Sequence, residues 1–254
     1  MIKFFRKIRQ ELMANNKTSK YLIYAAGEIV LVVAGILIAL TISNNNDQKK
    51  LRAEEQRYLL ALKEEFTYNK EELERVKRRN LSNLSSAFEI TKYTGPEKPE
   101  LSEKEFDNLF GKTINNEVQF NPSPGVLNEI INSGKMGNFS NGDLKKALAS
   151  WEAILKRVQF QENEEVLRSR TELLAFSMDK SNWRRATYNE LGSNAGFSPT
   201  KFKVNNLKIL QNEEFENLII QFLFVSRYLD EAYYPRLETA IDNIIELVEQ
   251  GIEQ

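Results

Sequence analysis

The feature that most constrains this chain is Tyr21–Ile42, twenty-two mostly apolar residues interrupted by one carboxylate, Glu28. From Ile29 to Ile42 the only polar side chain is Thr41, beside the small residues Ala34, Gly35 and Ala39. As a helix the stretch is about 33 Å long, enough to cross a hydrocarbon core of about 30 Å. The competing reading is a cleaved signal peptide, whose apolar region runs about 7–15 residues and ends at a small-residue cleavage site. This run is longer and no convincing Ala-x-Ala site follows it, so a retained single span is expected. The chain has no cysteine, which excludes a lipoprotein anchor.

Positive charge near the two ends of a span sets its direction. The leader, residues 1–20, carries Lys3, Arg6, Lys7, Arg9, Lys17 and Lys20. The flank beyond Ile42 carries Lys49, Lys50, Arg52 and Arg57, which begin further from the apolar run. This bias puts the N-terminus in the cytoplasm and, in a bacterium, the C-terminal region in the periplasm, anchored to the inner membrane. Phe5, Ile8 and Leu12 share one helical face of the leader while Lys3 and Lys7 point elsewhere. The leader therefore reads as a basic amphipathic helix on anionic lipid, with Lys3, Arg6, Lys7 and Arg9 as surface contacts. A plainer reading is that these charges only fix topology.

Glu28 lies about 10 Å along the helix axis from Tyr21. A carboxylate in hydrocarbon costs about 2.5–3.5 kcal/mol at the centre and less nearer the interface. Ala25, Glu28, Val32, Gly35 and Ala39 follow three–four spacing, so the acid shares a stripe with small residues. Small residues let helices approach closely and a polar side chain can bond across the contact. Ala25, Glu28, Gly35 and Ala39 are thus the candidate intramembrane interaction site. The partner expected there is a second copy or another membrane protein. Two alternatives stay open: Glu28 reaching toward headgroups, and Glu28 as a proton carrier in a driven subunit.

Residues 1–42 carry a net charge of +4 and the remaining 212 a net charge of −5. An acidic region without a basic stripe is a poor nucleic-acid binder, so no nucleic-acid partner is expected. Histidine and cysteine are both absent. That removes Ser-His-Asp and Cys-His catalysis, histidine-ligated haem, Glu-x-x-His di-iron centres, thiolate zinc sites and iron–sulfur clusters. No phosphate-binding loop or dinucleotide fingerprint occurs. Asn141-Gly142-Asp143 lacks the alternating oxygen ligands of a calcium loop and reads as a helix start. No catalytic, cofactor or metal residue is assigned.

Beyond the span, apolar residues recur with helical period between proline- and glycine-rich breaks. Leu59, Leu62, Phe66, Leu73, Val76, Leu84 and Ala87 line one face of a helix expected over about 48–91. Ser102-Glu103-Lys104-Glu105 has the form of a capping box, opening a short helix to about Gly111. Val126–Asn132 gives two turns closed by Gly134, which suits a left-handed cap. A second long helix is expected over about 141–178, a loop over 191–199, and a final helix over about 213–250 bent near Pro235. Trp151 and Trp183 read as packing residues. Tyr228, Tyr233 and Tyr234 near Arg227 and Arg236 read as packing at the bend, with a ligand groove as the alternative. The fold expected is all-α: one N-terminal transmembrane helix, then an elongated extramembrane helical bundle. Its divisions are a leader 1–20, a span 21–42, a linker 43–57 and a bundle 58–254.

Residues Met1–Arg9, Tyr21–Ala25, Gly27-Glu28-Ile29 and Gly35–Leu40 closely resemble an uncharacterised Bacteroidota membrane-protein family. Leu127–Met136 resembles, more weakly, a short turn between helices of that family. The family often has Asn-x-Trp-Asn-Glu after the span, where this chain has Asn44-Asn45-Asn46-Asp47, so an interfacial tryptophan is missing. The resemblance implies one N-terminal span and a helical domain, and supplies no activity. The expectation is a non-enzymatic, membrane-anchored scaffold or protein-interaction module. A sensory or ligand-binding ectodomain is the alternative. A polar pocket would favour ligand binding, and a filled core with an exposed apolar patch would favour a protein partner.

Overall fold

The computed structural model describes residues 18–252. Among them there is no strand, and the helices are α1 (Thr18–Thr91), α2 (Glu103–Asn115), α3 (Gly125–Asn132), α4 (Gly142–Phe160), α5 (Arg168–Lys180), α6 (Trp183–Leu191), α7 (Glu213–Tyr228) and α8 (Tyr234–Gly251). A π-helical turn, Gln161–Leu167, joins α4 to α5, and another, Leu229–Tyr233, joins α7 to α8. The chain divides into two units, Met1–Gln56 and Arg57–Gln254.

In the first unit the apolar side chains of α1, from Leu22 to Ile42, are exposed. The helix is long and apolar enough to cross a membrane, and none of its most apolar window is buried inside the molecule. Thr41 returns its hydroxyl to Leu37 O at 2.8 Å, so the one polar side chain between Ile29 and Ile42 is satisfied within the helix. Residues Asn44–Asp47, in the expected 43–57 linker, are helical. Asparagine is only mildly unfavourable in a helix, and no Pro or Gly is present there to break it.

In the second unit, the predicted face of α1 is the one that packs. Leu59, Leu62, Phe66, Leu73, Val76 and Ala87 are buried, against Leu237, Ile241, Ile244 and Val248 of α8, Phe215, Ile219 and Phe222 of α7, and Leu144, Leu148 and Trp151 of α4. Trp151 meets Phe66 edge-on at 5.1 Å between ring centres, so it is a core residue as expected. Leu84 alone of the predicted set lies only partly buried.

Local signals explain most boundaries. Ser102 and Glu105 form the capping box at α2, with bonds of 3.2 and 3.0 Å. Asn141 Oδ1 accepts from the amides of Asp143 and Leu144, opening α4 as a helix cap. Gly134 takes φ 71° after α3, the left-handed conformation that glycine adopts at least cost. Pro235 lies in the first turn of α8, where its missing N–H would have no partner in any case, and the interruption before it takes the form of the π turn.

Three polar residues of α1 hold the segment between α2 and α3 and the first turn of α3. Pro124, at the head of α3, supplies no side-chain cap. Glu65 does so from α1, accepting from the amides of Val126 (2.6 Å) and Leu127 (3.1 Å). Asn69 exchanges two bonds with the backbone of Ser123, and Asn83 exchanges two with Asn116. Burial pushes the Glu65 carboxyl above its ordinary range despite those amide bonds.

Candidate interaction groove

Two stretches of the domain treat the outer edge of the same helix pairing differently. Where α1 runs beside α8, ion pairs span the edge: Lys63–Glu249 at 2.7 Å, Lys70–Asp242 at 2.6 Å and Lys77–Glu238 at 2.8 Å. The lysines recur every seventh residue, and the next position in that series is Leu84. From there the edge is apolar. Leu81, Leu84 and Phe88 of α1 face Ile220, Leu223 and Phe224 of α7 across an open groove of about 630 Å³. Asn80 Nδ2 donates to Ser226 O at 2.9 Å and fixes the register of the two walls.

The groove is exposed. Phe224 is 72 % and Phe88 60 % accessible, while Leu81 and Ile220 are about half accessible. Arg227, bonded to Glu231 at 2.7 Å, closes one end together with Asp230. Burial raises the Asp230 carboxyl above its usual range, against the pull of nearby Lys77.

Two other surface recesses are open to solvent, one of about 330 Å³ beside Glu65, Tyr68 and Ser123 and one of about 350 Å³ along residues 92–100, and two more clefts are far smaller. One lined by Asn83, Asn116, Asn163 and Arg170 holds about 10 Å³. One between α2 and α6, beside Asp107 and Trp183, holds about 50 Å³. A single water needs roughly 10–15 Å³ by this kind of measure. No group of three or more acidic residues suited to a metal occurs among the described residues.

The acid most set apart in the interior is Glu162, in the π turn after α4. It is 1 % exposed and receives the Phe120 amide at 3.1 Å to each oxygen and the Tyr234 hydroxyl at 2.8 Å. Burial pushes its carboxyl up to about 7. The same burial and the nearby carboxylate hold Tyr234 as a phenol, able to donate. Glu162 lines none of the clefts above and both its oxygens are engaged within the protein, so its role here is structural.

The predicted intramembrane residues Ala25, Glu28, Gly35 and Ala39 all lie on α1, at spacings that share one helical face. Glu28 and Ala25 are partly buried, Gly35 and Ala39 exposed. Among the described residues, a side chain built on Gly27 or Gly35 would meet nothing within 4 Å. The predicted lipid contacts Lys3, Arg6, Lys7 and Arg9 lie outside the described residues. Of the tyrosines at the bend, Tyr234 enters the core, and Tyr228 and Tyr233 stack edge-on at 5.5 Å. They form no ligand groove; Arg227 instead borders the apolar one.

The sequence reading missed the groove, although α7 carries a visible sign of it. Leu218, Ile219, Ile220, Phe222, Leu223, Phe224 and Val225 leave almost no polar side on that helix. One buried face needs fewer apolar residues than this, so a second apolar face is implied.

The family of unknown function DUF6090 matches residues 28–226, and the chain belongs to it. No curated protein and no solved structure matches the chain.

Proposed function

We propose that this DUF6090 member is a single-span inner-membrane protein, N-terminus in the cytoplasm, that presents its helical domain in the periplasm as a non-enzymatic scaffold or interaction module. The observation that carries the reading is the apolar groove between α1 and α7 on an otherwise filled core. Large apolar side chains left in water at that density are characteristic of a surface that meets another protein. The groove is lined mainly by apolar side chains, which favours a protein surface over a small polar ligand. The apolar part of α1 supplies the anchor, and its Ala25, Glu28, Gly35 and Ala39 stripe a second, intramembrane contact.

The test is crosslinking and co-purification of the tagged full-length protein from its native membrane. Wild type is expected to recover a defined partner chain, and Phe224→Glu to lose at least four-fifths of it. Glu28→Ala is expected to weaken recovery further by removing the intramembrane contact. Recovery of a lone monomer from wild-type membranes would contradict the reading.

A further inference from the structure

We propose that the occupant of the α1–α7 groove is the same groove of a second copy, so that the helical domain dimerises into a four-helix arrangement of two α1 and two α7 helices. The proposal rests on the interaction-module reading and names its partner. The α1 wall presents Leu81, Leu84 and Phe88 at successive three- and four-residue steps, and the α7 wall presents Ile220 with Leu223 and Phe224 three and four residues on. An antiparallel helix pair with one such seam turned outward is half of a four-helix cross-section.

Area and charge favour a second copy. Phe224, Phe88, Leu81 and Ile220 are 72, 60, 49 and 50 % exposed. At about 150–250 Å² for a large side chain, they offer roughly 400–500 Å² per copy. Two copies bury about 1,000 Å² once the rims are included, the lower bound for a specific interface. Confinement to one membrane adds effective concentration, so an interface of that size suffices. Both ends of the groove carry opposite charges already paired, Arg227 with Glu231 and Lys92 with Glu89. The charges that meet when the patch is brought against itself are thus mostly paired within each copy, Asp230 at the Arg227 end excepted.

Symmetry fixes the arrangement. An isologous pair needs a two-fold axis. With that axis along the helices, each α1 lies beside its own α7 and the partner's α7, so every neighbouring pair is antiparallel. The α1 segments of the two domains then run in the same direction. An axis across the helices would reverse one of them.

The test is the mass of the full chain in detergent and in lipid nanodiscs, by sedimentation over a concentration series. Wild type is expected to be a dimer, and Phe88→Glu and Phe224→Glu each to raise its dissociation constant at least tenfold. Phe224→Ala, a milder change, is expected to do so by several fold. Both sites are solvent-exposed, so melting temperature and helix content should stay at wild-type values; a variant that loses them is replaced by the alanine form. Because the chain has no cysteine, mixing one copy bearing Leu81→Cys with another bearing Phe224→Cys, positions level with each other in this register, should yield an interchain disulfide. A wild-type monomer, or a dimer unchanged by the groove variants, overturns the proposal. So does a dimer abolished by deleting residues 2–17 and untouched by the groove variants. If the co-purification recovers a different protein that Phe224→Glu releases while wild type stays monomeric, the interaction-module reading stands and the second copy is excluded.

Discussion

Raising the pH from about 5 to about 8 is expected to destabilise the helical domain by about 2–3 kcal/mol through Glu162 alone. Its carboxyl is held at about 7 in the folded chain, against 4.5 for an unperturbed glutamate. A raised acid binds its proton more tightly in the folded state, so folding is favoured at low pH. That advantage is lost as the pH rises from the unfolded value through the folded one. At about 1.36 kcal/mol per pH unit, the window between the two values sets the size of the loss. Burial also raises Glu65, Asp107 and Asp230, so the wild-type slope contains smaller contributions of the same sign.

Glu162→Gln isolates the effect. The amide oxygen, placed where Oε1 sits, still accepts from Phe120 and Tyr234, and the side chain cannot ionise. Urea midpoints of the variant should match wild type near pH 5 and exceed it near pH 8. Glu162→Ala should cost about 3–5 kcal/mol at either pH, because it opens a cavity and strands a buried amide and a buried phenol. Equal pH slopes in wild type and Glu162→Gln would contradict the account.

A loss of about 2–4 kcal/mol is expected for Asn206→Ala. Asn206 is buried at the start of the 3₁₀ turn Asn206–Gln211 and joins three parts of the chain. Its amide donates to Glu103 Oε1 at 2.7 Å and its Nδ2 to Asp107 Oδ1 at 3.0 Å. Its Oδ1 accepts the Asn182 amide at 2.8 Å, at the cap of α6. Truncation leaves Asp107, which is 6 % exposed, with Asn189 as its remaining hydrogen-bond donor, and strands the Asn182 amide. Asn206→Asp should be worse near neutral pH and partly recover near pH 5, since two adjacent carboxylates then share a proton. Urea midpoints check both variants, and an Asn206→Ala loss below about 1 kcal/mol would contradict this role.

The helical fold was legible where periodicity and capping chemistry act locally. The capping box at Ser102, the cap at Asn141, the left-handed Gly134 and the buried face of α1 all follow from near-neighbour chemistry. What the sequence concealed depends on contacts between distant residues. Glu162 sits in a run of charge that reads as a solvated face, yet the π turn rotates it inward to meet Phe120 and Tyr234. Glu65 and Asn69 look like the polar side of an amphipathic helix, and instead hold the backbone before α3. Helix α6 was missed because Trp183–Leu191 is short and has no buried residue to impose a period. The groove escaped because Leu84 and the α7 leucines and phenylalanines have the same spacing whether a face is packed or waiting for a partner. Periodicity identifies an apolar face; the tertiary fold decides whether it is covered.

The proposed topology is one span holding the helical domain on the far side of the inner membrane. Single cysteines in this cysteine-free chain test it by labelling cells with a permeabilised outer membrane, using a maleimide that cannot cross the inner one. Ser193→Cys, on an exposed turn of the domain, should react at once, and Val32→Cys should react only after detergent is added. Val32→Cys labelled as fast as Ser193→Cys without detergent, or Ser193→Cys labelled only after the inner membrane is opened, would contradict the account.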